Sequence, residues 1–140
     1  MEAGPPRYVC GMSAESMGLV AASLLCWVAV VHLTMAAGVR RGELVWSGRQ
    51  PRLLDPELRA RSALSALLLV ASGWVLVEGT GLVPGRTIPD AFMQSATFAV
   101  TGFLGVYFLY LLFRGSLWER VLFAPIILAG ALLAGWLTFG

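Results

Sequence analysis

The chain has no lysine, a single histidine and only two cysteines in 140 residues, and charged side chains make up 13% of it, against the roughly 25% usual in a soluble domain. Each scarcity closes a class of function. One histidine, His32, cannot hold a haem between two histidines. Cys10 and Cys26, isolated from one another, supply neither a structural zinc set nor the CxxC pair that a quinone reductase of the vitamin K epoxide type needs. Cys10 precedes the first apolar run and Cys26 lies inside it, so about 24 Å of helix would separate them if the helix reached both, too far for a disulfide. Glu15 also precedes that run, which leaves the first span without the membrane acid of a small multidrug exporter. Nucleophilic triads and paired membrane carboxylates are missing as well. The expectation is therefore a protein without metal or cofactor, and these scarcities weigh against an enzyme without deciding the question.

What the chain does have is apolar length. Hydrophobic residues reach 58% and the mean hydropathy is +0.78. Crossing hydrocarbon as helix takes about 20 apolar residues, because every backbone donor and acceptor must be satisfied within the segment. Four stretches qualify, at about 17–39, 63–83, 91–113 and 117–139. Their apolar residues are continuous and not alternating, so none reads as a strand. The first run is too long for the core of a cleavable signal peptide and is expected to stay. Asp55-Pro56-Glu57 places a cap residue, a first-position proline and a first-turn acid before the second span, so that helix is expected to start in water. Pro89-Asp90 opens the third in the same way. The links GTGLVPGRTIP (79–89) and RGS (114–116) are short, and short links force antiparallel neighbours. The expected fold is all-α: an integral membrane four-helix up-down bundle forming a single transmembrane domain.

The arginines orient it. Arg40, Arg41, Arg49, Arg52, Arg59 and Arg61 fall between the first two spans, and Arg114 and Arg120 between the last two; only Arg7 and Arg86 fall on the other side. Eight against two predicts that both arginine-bearing links are cytoplasmic and both termini external. Trp46 and Trp118 then belong to the inner interface, and Trp136 and Tyr8 to the outer. The long inner link first of all sets topology. Arg40, Arg41, Arg49 and Arg52 are its candidates for contact with anionic lipid headgroups, with Trp46, Leu53 and Leu54 dipping in. Nucleic acid is not an expected partner, because the link is too short to fold into a basic surface. A lysine-free chain rich in Ala, Gly, Leu, Val and Arg is typical of a GC-rich bacterial genome, so the expected location is the bacterial cytoplasmic membrane.

Few polar groups sit within the spans. His32 is accompanied at helical spacing by Gly18, Ala21, Ala22, Leu25, Ala29 and Ala36, a small-residue face that lets another helix come close and turns His32 inward. An ionisable group in hydrocarbon is a functional candidate by default, yet a neutral imidazole holding two helices in register is the reading favoured here. At matching depth lie Tyr107, with its hydroxyl, and Pro125, which frees the carbonyl of Val121; Thr101 is a further polar neighbour for a ligand. Glu78, near the outer end of the second span, is expected at the interface, where Arg86 or the start of the third helix meets it, with Gln94 and Thr97 at its depth. Gly102/Gly105, Gly130/Ala134 and Ala131/Gly135 mark candidate faces for close helix contact, within a monomer or between subunits.

HLTMAAG (32–38), GFLGVYFLYLLFRG (102–115) and WERVLFAPIILAGALLAG (118–135) together resemble a family of small four-span bacterial membrane proteins of unknown function, whose members show an HL-x-x-A-x-G stretch in the first span and a proline in the apolar start of the last. The resemblance implies an architecture and no activity. Two functional expectations follow. The first is an accessory or structural subunit that packs on a larger membrane complex or on copies of itself. The alternative is a small-molecule protein, binding or converting a lipid, quinone or terpenoid, with His32 as the polar head of an apolar pocket and Tyr107 or Thr101 assisting.

Overall fold

Helix α1 (Ala14–Ala36) begins where Ser13 Oγ accepts the amide of Ser16 at 3.3 Å and ends at Gly38, whose φ of +88° suits glycine. A computed structural model of the chain describes residues 8–9, 12–38, 56–85 and 87–139. Ahead of α1, β1 (Tyr8–Val9) pairs antiparallel with β2 (Met12–Ser13), Tyr8 opposite Ser13. Helix α2 (Pro56–Gly79) starts with proline at its first position, as the sequence suggested, and exposed Glu57 pairs with Arg61 one turn on. It stops at Gly79 and does not run on to Val83. Gly81 adopts φ +80° and its amide donates to the Glu78 carbonyl at 3.0 Å, so the apolar Leu82 and Val83 belong to the loop.

Helix α3 (Asp90–Arg114) closes at Gly115, where any Cβ would run into the Leu111 carbonyl oxygen. Ser116 and Glu119 then form a reciprocal cap: the Ser116 amide donates to Glu119 Oε2 at 2.6 Å, and the Glu119 amide donates to Ser116 Oγ at 3.3 Å. A π-helical turn follows (Glu119–Phe123), with the Ala124 amide donating to the Glu119 carbonyl. It stands directly before Pro125, which has no amide to offer and so interrupts the regular ladder. Helix α4 (Ala124–Phe139) completes the chain.

Neighbouring helices run antiparallel. Gly18 of α1 faces Thr80 at one end of α2, while Ala36 meets Arg59 at the other. Leu104 and Thr101 of α3 face Gly130 and Gly135 of α4. Helix α1 also lies against α4, from Met17 beside the Leu133–Trp136 turn to Trp27 and His32 beside Phe123. The shared core includes Leu25, Val28, Leu69, Leu76, Leu104 and Ile127. Small residues permit the close approaches: a Cβ on Gly73 would sit 3.5 Å from the Ala22 Cα, and one on Gly130 would sit 3.2 Å from a Leu104 methyl. Gly102 and Gly105 behave otherwise. A Cβ there meets nothing within 4 Å, so this pair is not a helix contact within the chain, because α3 turns that face outward.

Outside the core, large apolar side chains cover the surface, among them Leu67, Val106 and Phe113, which are 65%, 69% and 77% exposed. A water-soluble monomer rarely exposes contiguous apolar surface on this scale. The four helical segments, of 22, 24, 25 and 21 residues, reach about 32–38 Å at 1.5 Å per residue, against the roughly 30 Å of a hydrocarbon core. Each is long and apolar enough to cross a membrane.

Candidate functional site

His32 is 1% exposed, placed inward by the Ala21, Leu25, Val28 and Ala29 face of α1. Its Nδ1 lies 3.0 Å from the Val28 carbonyl oxygen and its Nε2 lies 2.8 Å from the Tyr107 hydroxyl of α3. A carbonyl can only accept, so Nδ1 carries a hydrogen; in the neutral imidazole Nε2 is then the acceptor and Tyr107 donates. Both nitrogens are occupied. Phe123, on the π-helical turn, packs on the imidazole at 6.2 Å between ring centroids, and Tyr107 stacks between Phe103 and Tyr110. Three helices therefore meet at one histidine.

Glu119, 2% exposed, is a second buried ionisable side chain, at the start of the same π-helical turn that carries Phe123. Sequence reasoning passed over it. The signal was present as Ser116-Leu-Trp-Glu119, the spacing of a capping box. Pro125, the other partner expected for His32, contributes differently: its effect is the π-helical turn that sets Phe123 against the ring.

The remaining candidates do not join this cluster. Thr101 donates to the Thr97 carbonyl of its own helix at 2.8 Å. Glu78, fully buried, is bonded to neither Gln94 nor Thr97 by any described hydrogen bond and ties the loop between α2 and α3 onto α2: its Oε1 accepts the Thr87 amide at 3.2 Å as well as the Thr87 hydroxyl, and its Oε2 accepts the Ile88 amide at 3.0 Å. Trp74 Nε1 donates to the same Thr87 oxygen at 3.1 Å. Gln94 is exposed and lines a shallow groove with Ser95, Phe98, Thr138 and Phe139, whereas Thr97 is buried and bonds back to the Met93 and Gln94 carbonyls. Cys26 is an unbridged thiol on the exposed face of α1. Arg40, Arg41, Arg49 and Arg52, with Arg86, Cys10 and Trp46, lie outside the described residues.

Among the described residues no buried side-chain nitrogen or oxygen lacks a hydrogen-bond partner, and no group of three or more His, Cys, Asp or Glu is placed to hold a metal ion. The arrangement is suited to fastening helices. No known protein family, curated protein or solved structure matches the chain.

Proposed function

We propose that this chain is a small integral protein of the bacterial cytoplasmic membrane, an up-down four-helix bundle that acts as an accessory or structural subunit, packing on a larger membrane complex or on copies of itself. Its arginine-bearing links face the cytoplasm, both termini are external, and it belongs with the small four-span bacterial proteins that its motifs resemble. The observation that carries the reading is His32. The one histidine available for chemistry has both nitrogens engaged, by a backbone carbonyl of its own helix and by Tyr107, which is how a polar group serves as an adhesive between membrane helices.

Helix α3 offers the face for a partner. Only 22% of its apolar stretch is buried, against 33–39% in the other three helices, and it carries Phe98, Val106 and Phe113 outward beside the uncovered Gly102. Photo-crosslinking from Phe98 and Val106 in the native membrane, with native mass spectrometry of the extracted protein, tests the proposal. A crosslinked second copy or a stoichiometric larger subunit is expected. A monomer that crosslinks only to lipid contradicts it.

A further inference from the structure

Arg59 stands at the end of the α1–α2 pair nearest the inner link. Its Nε donates to the Ala36 carbonyl at 2.8 Å, and its guanidinium lies over Gly38, with Cζ and Nη2 each 3.5 Å from where a Cβ would be. The side chain therefore caps the carbonyl end of α1, where the helix dipole places partial negative charge. That accounts for one of five N–H donors and part of the charge. Arg59 meets no carboxylate among the described residues, since Glu57, its neighbour in the first turn of α2, pairs with Arg61.

Arg59 also lines a groove of about 330 Å³ together with Ala36, Pro56, Ala60 and Ala63. One cationic side chain among three alanines and a proline makes an amphipathic recess at the end of two apolar helices. We infer that this recess binds the phosphodiester of an anionic glycerophospholipid, the guanidinium fork taking the phosphate oxygens and the alanine floor the glycerol and first methylenes. Held in place by the Ala36 carbonyl, the fork is already oriented before the lipid arrives. The inference rests on the membrane reading above.

Native mass spectrometry of the full chain in detergent, titrated with phosphatidylglycerol or phosphatidylcholine, tests it. The wild type is expected to retain phosphatidylglycerol preferentially, and R59Q to bind it about fivefold more weakly, the factor equivalent to the ~1 kcal/mol that one arginine contributes near an anionic surface. Ala63 is exposed, so A63F fills the floor without touching the cap and is expected to lose the lipid; it decides the matter if R59Q does not fold. Equal retention of the two lipids, or undiminished retention of phosphatidylglycerol by a folded R59Q or by A63F, overturns the lipid site. Displacement of the lipid by glycerol 3-phosphate at equal concentration points to a soluble phosphate and overturns it too. A chain found in the soluble fraction overturns the membrane reading itself, whereas a membrane-bound chain that fails these titrations loses only the lipid site.

Discussion

His32 and Tyr107 join α1 to α3 by a hydrogen bond across 75 positions of sequence. Removing the imidazole leaves a hydroxyl with its donor unmatched in an apolar interior, so His32→Ala is expected to destabilise the fold by about 1–3 kcal/mol. Tyr107→Phe removes the other partner, and the two substitutions are expected to couple by ~0.6 kcal/mol, the average for hydrogen bonds between membrane helices. Unfolding in mixed micelles, run as a double-mutant cycle, reads this directly; a His32→Ala variant as stable as wild type removes the fastening role. Glu78 makes a separate prediction. Its carboxylate holds the Thr87 and Ile88 amides, so Glu78→Ala is expected to accelerate hydrogen exchange at both while leaving the amides of α1 unchanged. At this scale, the sequence was informative where depth along straight helices decides contact, as for His32 and Tyr107. For Glu78 it pointed to the segment leading into α3, where Thr87 and Ile88 bind the carboxylate, but the depth match to Gln94 and Thr97 could not name those partners, because it ignores a loop that folds back onto the end of its own helix.

Helices follow from runs of apolar residues about 20 long, and all four were legible for that reason. Their ends were less so. The stop of α2 depends on the left-handed turn at Gly81, whereas the apolar Leu82 and Val83 invited four more residues of helix. The inward face of α1 was readable from its alanines. The face of α3 was not, since Gly102 and Gly105, which in sequence look like a contact pair, meet nothing, whereas Gly130 and Gly135 of α4 do face a neighbour. The contrast is testable. Gly130→Leu drives a side chain into Leu104 and Leu25, 3.2 and 3.6 Å from the Cβ position, and is expected to cost about 1–3 kcal/mol as an overpacked core. Gly102→Leu enters open space and is expected to leave monomer stability unchanged or slightly raised; thermal melts of the two variants in one detergent compare them. The cap that launches the fourth helix lies in Ser116 and Glu119, and Ser116→Ala is expected to cost ~1 kcal/mol in the same melts.

Across the described residues, polar chemistry concentrates at the helix ends and in a few interior fasteners, and large apolar side chains cover much of the remaining surface. Arg59 and Arg120 each donate to a carbonyl at the end of a helix, at Ala36 and at Gly115. Arginines counted in the sequence as a signal of orientation therefore also cap α1 and close the link after α3, a role invisible without knowing which helix ends lie side by side. The functional account needs these helices to lie in hydrocarbon, with the arginine-bearing ends on one side. Labelling by a membrane-impermeant maleimide in intact cells tests this most directly, using Ser47→Cys in the first link and Val83→Cys in the second, each with Cys10 and Cys26 replaced by serine. The account predicts that position 83 reacts in intact cells and that position 47 reacts only after the membrane is opened. Reaction at 47 and protection at 83, or equal reaction at both, would contradict it.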